Sequence, residues 1–392
     1  MIFLDVNTFF GDKSGGIRTY HLAKIAWFRK HPEHRYIVVG PGAESGREEL
    51  APNVLRVRIR GPRATKDPAG YRLLLDAKAL RALVDEFSPD VVESGDPWLS
   101  GPMLLRMRRK GAKIPVLSSF YHGDPIRTYV DPWARRGATS FARRPLAKLA
   151  ERVFYALQRR YDVTLASSRE MERHLRERGA KVSLVPFGCP AEFLERGKTY
   201  MRKGGRARNP DAPLRLLYAG RLDPEKGTDL LARAIPKLLD RGDVAVTVLG
   251  RGSREALFRN EEWLANPAYR AIGYIADRSE LLDVLDEHDI LLSTCPWETF
   301  GLGVLECLAL GIPAVAPSQG GAGELVEEVS PEALYAPGDL HSLLDAIARV
   351  RDMDYGRLSA RARSVAERYG SWDDACARMA ALYERILSGE KA

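Results

Sequence analysis

The chain is predicted to be an α/β protein of two parallel-sheet, Rossmann-like domains that face a central cleft. Three observations carry this. Short apolar strands alternate with helical segments along the whole chain, the signature of a parallel sheet covered by helices. At 392 residues the chain is too long for one ordinary core and suits two domains of roughly 150–200 residues. The rhythm breaks once, over residues 196–213, and then restarts.

In the first half, strands are expected near Ile2–Val6, Tyr36–Val39, Val54–Ile59, Val91–Glu93, Val116–Ser118, Val163–Ala166 and Ser183–Val185, with helices between them. The interruption contains Arg196-Gly197-Lys198, Lys203-Gly204-Gly205-Arg206 and Asn209-Pro210. It has abundant glycine and charge and no periodicity, so it reads as a linker. Strands then follow near Leu214–Ala219, Ala245–Leu249, Ala271–Gly273, Asp289–Leu292, Ala314–Ala316 and Leu334–Tyr335. Their helices include Gly227–Asp240, Ser279–Glu287, Gly303–Leu310, Leu340–Val350 and Trp372–Leu387. The expected organisation is a domain over 1–195, a linker over 196–213, a second domain over 214–371 and a last helix over 372–392 that packs back on the first domain. Tandem units of this kind hold ligands in the crevice beyond the carboxyl ends of their strands.

Composition narrows the function classes. Hydrophobic residues make up 45% and charged residues 29%, as in a globular chain, and no apolar run approaches the ~20 residues that span a bilayer. The start, Met1-Ile2-Phe3-Leu4-Asp5-Val6, reads as a strand and lacks the charged beginning and long apolar stretch of a signal peptide, so a cytoplasmic location is expected. Cys189, Cys295, Cys307 and Cys376 have no paired spacing, which argues against a disulfide framework or a zinc site. Asp352 and Asp354 form an Asp-x-Asp in a polar stretch away from every glycine turn and are not read as metal ligands; no metal or other cofactor is expected.

The chemistry is concentrated in Glu298-Thr299-Phe300-Gly301-Leu302-Gly303-Val304-Leu305-Glu306. Ionised carboxylates only accept hydrogen bonds, so two of them beside glycine N–H groups suit a ligand with many hydroxyls and a phosphate, such as a nucleotide sugar. Glu306 is expected in the first turn of helix Gly303–Leu310, with Glu298 in the loop before it. The same pair would also serve as a dipole-favoured acid and a solvated loop residue.

Other strand ends add to this pattern. Gly220-Arg221-Leu222-Asp223-Pro224-Glu225-Lys226-Gly227 follows strand Leu214–Ala219, where Arg221 offers a planar fork to phosphate oxygens and Lys226 a mobile charge. Both would equally suit surface pairs with Asp223 and Glu225. Gly250-Arg251-Gly252 and Gly320-Gly321-Ala322-Gly323 end two further strands, and their coincidence on one side of the sheet says more than any one turn. In the first half, Gly15 and Gly16 close a loop, Gly11–Ser14, that opens a helix with apolar members Leu22, Ile25 and Ala26. His122 follows strand Val116–Ser118, with Asp124 near enough to orient it. The three-glycine dinucleotide fingerprint is absent from the first strand–helix turn, which weakens an oxidoreductase reading.

The basic charge is local. Residues 101–160 hold fourteen Lys/Arg and three Asp/Glu, a net +11 against +8 for the whole chain. Within them, 145–160 reads as an amphipathic helix with Leu146, Leu149, Val153, Phe154 and Leu157 on one face and Arg144, Lys148, Arg152 and Arg159 on another. It suits an anionic membrane surface, or a docked helix with a solvated basic side. Nucleic acid is not expected as a partner, because no stacking pattern or reader motif accompanies the charge.

These motifs, in this order, resemble the retaining glycosyltransferases of family 4, which have the two-domain GT-B fold. The likeness covers nearly the whole chain and is strongest over 218–227, 248–252 and 296–326. It implies metal-independent transfer of a hexose from a UDP- or GDP-linked sugar to a hydroxyl acceptor, a membrane glycolipid or a polysaccharide precursor, with anomeric retention. By resemblance, Glu298 contacts donor-sugar hydroxyls, Glu306 the ribose, the backbone of Phe300, Gly301 and Leu302 the sugar and phosphates, and Arg221 with Lys226 the diphosphate. Gly15 and Gly16 match the loop near the donor phosphates, Gly220, Gly250 and Gly252 the donor-side turns, and His122 the histidine contacting the transferred sugar. Glu93–Trp98 and Arg127–Asp131 are plausible acceptor contacts to which no family role transfers. A nucleotide-sugar epimerase on the same fold and a catalytically silent sugar-nucleotide or membrane-binding module are the alternatives. The basic helix extends the expected location to the inner face of the membrane.

Overall fold

The computed structural model describes residues 1–10, 15–64, 72–96, 98–135, 140–202, 204–209 and 211–390. They fall into two compact units, Met1–Val185 with Asp373–Ala392, and Pro186–Trp372.

In the first unit the described residues form an eight-stranded sheet: β1 (Ile2–Val6), β2 (Arg35–Gly42), β3 (Gly46–Ala51), β4 (Val54–Arg60), β5 (Val91–Ser94), β6 (Val116–Phe120), β7 (Val163–Ala166) and β8 (Val182–Leu184). Their order is β3-β4-β2-β1-β5-β6-β7-β8, and all pairings are parallel except β3 with β4. Central strands are covered on both faces, which is why β1, β5 and β6 read as nearly continuous buried runs. Asp5 on β1 lies opposite Glu93 on β5, so two acids sit side by side at the centre of the sheet. The last helix, Trp372–Leu387, belongs to this unit: the Tyr383 ring meets Phe3 edge-on at 5.5 Å, and its hydroxyl bonds the Ser118 hydroxyl at 2.7 Å.

The second unit repeats the plan with β9 (Leu214–Ala219), β10 (Val244–Leu249), β11 (Tyr269–Ile272), β12 (Ile290–Leu292), β13 (Ala314–Pro317) and β14 (Leu334–Tyr335), ordered β11-β10-β9-β12-β13-β14 and parallel throughout. Parallel pairing puts every strand's carboxyl end on one edge. The turns after β9, β10, β12 and β13 therefore line the same side.

Four expectations need correction. Residues 196–213 are not a free linker: helix Ala191–Arg202 runs into them, within the second unit, and Lys203 and Pro210 lie outside the described residues. The charges that suggested a loop are ion pairs, Arg196 to Asp283 and Asp286 at 2.8 Å each and Arg206 to Asp286 at 3.0 Å. Gly197 brings that helix against another; a Cβ there would come within 1.9 Å of the Ala309 carbonyl oxygen.

Strand β3 was not expected, because Gly-Arg-Glu-Glu-Leu-Ala has no apolar alternation; it is a charged edge, held by Arg47–Glu86 and Arg58–Glu48 pairs. Helix Gly16–Arg29 buries Tyr20, His21, Lys24, Ile25, Trp27 and Phe28 and leaves Leu22 and Ala26 exposed. Its inner face mixes Tyr20, His21 and Lys24 with Ile25, Trp27 and Phe28, so an apolar count alone misplaces it. The basic helix spans Ser140–Gln158 and docks through Ala147, Phe154, Tyr155 and Gln158, while Leu146 and Leu149 are more than half exposed and Val153 nearly so.

Loop 223–227 is held tightly against the turn after β12. Thr294 Oγ1 donates to the Lys226 carbonyl at 2.9 Å and Cys295 Sγ to the Glu225 carbonyl at 3.3 Å. Gly227 has φ +72°, and a Cβ on it would meet the Thr294 carbonyl oxygen at 1.9 Å. Gly227→Ala is therefore expected to destabilise the second unit by about 3 kcal/mol. Gly242→Ala, also at positive φ but with nothing within 4 Å, should cost about 1 kcal/mol. Calorimetric unfolding of the two variants checks the difference.

Candidate active site

On the second unit, Lys226 Nζ donates to Glu298 Oε2 at 2.7 Å, and each side chain is about a quarter exposed. Both arise from turns at carboxyl ends of neighbouring strands, Lys226 after β9 and Glu298 after β12. Glu298 is held by its backbone: Gly321 N–H donates to its carbonyl at 2.7 Å, and the Gln319 amide donates to the Pro296 carbonyl at 2.9 Å. Burial pushes the Glu298 carboxyl up, but the charge and hydrogen bond of Lys226, with help from Cys295 and Arg221, outweigh it and hold the acid below its ordinary range. Burial works against the Lys226 ammonium too, and Glu298 more than restores it. The site thus presents a preformed pair of charges at the strand ends, open to solvent.

Arg221 is half exposed and engaged with Asp223 at 2.5 Å and Glu225 at 2.8 Å, the pairing that the sequence left open. Asp223 also accepts from the Ser253 N–H and hydroxyl, and so ties the turn after β9 to the turn after β10. Gly220, Gly250 and Gly252 serve that junction: Gly220 N–H donates to the Leu249 carbonyl at 3.0 Å, and Gly250 and Gly252 back onto the chain at 220–222.

Phe300 points into the core, its ring edge-on to Phe187 at 5.3 Å and Tyr369 at 5.8 Å, and leaves only its backbone for a ligand. Gly301 caps helix Leu302–Ala309 at φ +95°. Glu306 is consequently the fifth helical residue, in the second turn and not the first. It does not pair with Lys226. Its cation is Arg278 at 3.7 Å, shared with Glu192 at 3.4 Å. Burial raises the Glu306 carboxyl to about 7, with Arg278 opposing and Glu192 reinforcing the rise.

On the first unit, Gly15 and Gly16 start helix Gly16–Arg29, whereas Gly11–Ser14 lie outside the described residues. His122 follows β6; its ring stacks on Phe120 at 4.6 Å and meets Tyr20 edge-on at 4.9 Å. Burial, aided by the Lys24 charge and opposed by Glu93, lowers its pKa to about 4, so the imidazole is neutral near pH 7. Asp124 is engaged with its own loop and with His174. That carboxylate accepts from the Ile126 and Arg127 N–H groups and lies 3.4 Å from His174 Nε2.

Of the expected acceptor contacts, Glu93, Asp96 and Arg127 are engaged within the first unit, and Trp98 and Tyr129 are exposed. Glu93 is buried, accepting from Tyr20 at 2.7 Å, Tyr383 at 2.8 Å and Lys24 at 3.3 Å. Asp96 accepts from Thr8 Oγ1 and from the N–H groups of Trp98, Leu99 and Ser100. Arg127 is shared by Asp124, Glu170 and His174.

Sequence reasoning missed the centre of this group. Lys24 is fully buried between Asp5 at 2.5 Å and Glu93 at 3.3 Å, and Tyr36 donates to the same Asp5 oxygen at 2.8 Å. The available signal was an acid in each of two central strands and a Tyr20–Lys24 pair at helical spacing. A cavity of about 260 Å³ in the second unit, lined by Arg215, Arg270 and His288 among others, lies toward the amino ends of β9, β11 and β12, away from the turns that carry Lys226 and Glu298.

Known proteins and family models are similar to this chain over most of its length. Residues 14–193 match the family model described as Glycosyltransferase Family 4, and residues 213–352 the model described as Glycosyl transferases group 1. The chain is 28% identical over 385 residues to a GDP-mannose-dependent alpha-mannosyltransferase of Mycobacterium tuberculosis, covering 93% of this chain and 92% of the relative. It is 27% identical over 325 residues to a GDP-mannose-dependent alpha-(1-6)-phosphatidylinositol dimannoside mannosyltransferase of the same species, covering 82% and 81%. Its fold is similar to sucrose-phosphate synthase from Thermosynechococcus elongatus, with TM-score 0.73, 18% identity and all of both chains covered. It is also similar to Anabaena Alr3699/HepE in complex with UDP, with TM-score 0.66, 17% identity and 98% and 100% covered. The chain belongs to the group 1, family 4 glycosyltransferases of GT-B fold. It is a glycosyltransferase that uses a nucleotide sugar.

The raised Glu306 carboxyl carries a stability cost. Between about pH 4.5 and 7 the native chain keeps a proton there that the unfolded chain releases, so this group's contribution to stability falls as pH rises through that window. Glu306→Gln is expected to stabilise the chain at pH 8 by at most about 3 kcal/mol and to change nothing at pH 4. Denaturant titrations of both proteins at the two pH values test this.

Proposed function

We propose that this chain is a retaining mannosyltransferase that moves mannose from GDP-mannose to a hydroxyl of a glycolipid acceptor at an anionic membrane surface. The observation that carries the reading is the Lys226–Glu298 pair at the strand ends, partly exposed and beside the Leu302 helix terminus. Two relatives spanning most of the chain, both named as GDP-mannose-dependent, favour guanosine over uridine and mannose over glucose.

In this reading Glu298 accepts hydrogen bonds from donor-sugar hydroxyls and Glu306 from the ribose, whose donors would offset the cost of its buried charge. Lys226 and Arg221 move part of their charge from Glu298, Asp223 and Glu225 onto the diphosphate as it leaves. Charge neutralisation then comes from side chains and helix N–H groups without a metal, and it is the main catalytic contribution. His122, neutral, hydrogen-bonds the transferred sugar. The acceptor attacks the face from which the diphosphate departs, and the departing phosphate takes its proton.

Membrane contact is assigned to helix Ser140–Gln158. Leu146, Leu149 and Val153 form an exposed apolar stripe, with Arg144, Lys148 and Arg152 exposed among them. That combination suits insertion at an anionic headgroup layer. Among the described residues no helix is long and apolar enough to cross a membrane.

Lys226→Ala and Glu298→Ala are each expected to lower transfer by about 10³-fold with the fold retained, as read by radiolabelled mannose transfer and circular dichroism. GDP-mannose at roughly 100 times its dissociation constant should add about 2.7 kcal/mol of stability, and UDP-glucose much less. Product NMR distinguishes an α-mannoside, the expected outcome, from an inverted linkage or an epimerised donor. Wild-type protein should float with anionic liposomes at low salt, and a Leu146→Glu/Leu149→Glu variant should not.

A further inference from the structure

The C-terminal helix ends in the same group of side chains that surrounds His122. Tyr383 OH donates to Glu93 Oε2 at 2.8 Å and bonds the Ser118 hydroxyl at 2.7 Å. The other Glu93 oxygen accepts from Tyr20 OH at 2.7 Å, and the Tyr20 ring is edge-on to His122 at 4.9 Å. Ser118 shares a face of β6 with Phe120, whose ring stacks on His122 at 4.6 Å and lies 4.8 Å from the Tyr20 ring. The Tyr20 wall of His122 therefore shares Glu93 with a phenol contributed from more than 250 residues away, and the Phe120 wall packs on that same Tyr20 ring.

We propose that Tyr383 is a positioning residue for the transfer reaction, acting through Glu93 and Ser118 to fix the Tyr20 and Phe120 rings that hold His122. The inference rests on the role given to His122 above. Side chains in such a shell lock the rotamer of the group that meets substrate, and loss of one hydroxyl there loosens the group without unfolding the protein. Glu93 cannot do this alone. Its Oε1 is shared between Tyr20 and Lys24, and Lys24 also serves Asp5, so the hydrogen bond from Tyr383 to Oε2 is what keeps the carboxylate in one orientation. The edge-on packing of Tyr383 on Phe3 fixes the ring itself, so removing the hydroxyl leaves the packing in place.

The test is a double-mutant cycle of Tyr383→Phe with His122→Ala, measured as kcat and donor KM for mannose transfer. Tyr383→Phe is expected to lower kcat about tenfold, to change donor KM less than twofold and to leave the melting temperature within a few degrees. In the His122→Ala background the same change should have no further effect on kcat. Tyr20→Phe, which cuts the next link, should behave in the same non-additive way, and the His122 ring carbon signal should shift in Tyr383→Phe. If His122→Ala retains wild-type kcat, the His122 assignment falls and this inference with it. If His122→Ala is impaired but Tyr383→Phe is neutral, or lowers kcat by the same factor in both backgrounds, the positioning role alone is overturned.

Discussion

Charge removed from water must find a partner, and two lysines in this chain meet that demand in different ways. Lys24 has no solvent exposure, and its ammonium is set between Asp5 and Glu93 on adjacent strands of the first sheet. An uncompensated charge at that depth would cost several kcal/mol, so the helix, both strands and the hydroxyls of Tyr20, Tyr36 and Tyr383 are bound into one arrangement. Lys226 also faces a carboxylate, but about a quarter of each partner remains in water. The first pair has no freedom to exchange partners. The second keeps water within reach, and the proposed function rests on that difference in setting.

The parallel topology explains where the second pair sits. Each strand of the second sheet ends on the same edge, so residues separated by about seventy positions, Lys226 and Glu298, arise from turns on neighbouring strands. The turns then brace one another through Thr294, Cys295, Asp223, Ser253 and Gly321. Several glycines that read as openings for a ligand also serve this bracing. They allow backbones to approach where a side chain would collide, and the rigidity they permit is what a preorganised anion site needs.

The surface of the first unit shows a different economy. The helix Ser140–Gln158 has apolar residues on more than one side, and the docked side takes only Ala147, Phe154, Tyr155 and Gln158. The stripe left outside is too apolar for an ordinary solvated face and is interleaved with arginine and lysine, which accounts for much of the local positive excess.

Local patterning determined much of the molecule. Apolar runs of four to six residues marked nearly every central strand, because a strand buried on both faces has to be apolar. The acids Glu298 and Glu306, the Arg221–Lys226 turn and the glycine-ended strands stood out because the ligand of the proposed function would call for those residue types at those spacings. What escaped was set by contacts distant in sequence. Lys24, Glu93 and Tyr383 look like surface residues until three elements bring them together, and Asp124 looks like a partner for His122 until His174 arrives from another helix. The segment around Arg196 and Arg206 reads as a loop because its charges have no local partner; Asp283 and Asp286 supply one some eighty residues later. The sequence alone determined the α/β rhythm and which residue types stand at the strand ends, since both are written in residue type and spacing. Only the tertiary structure decided which charges are buried and paired and which stay open to a ligand, because desolvation depends on what the rest of the chain packs against each group.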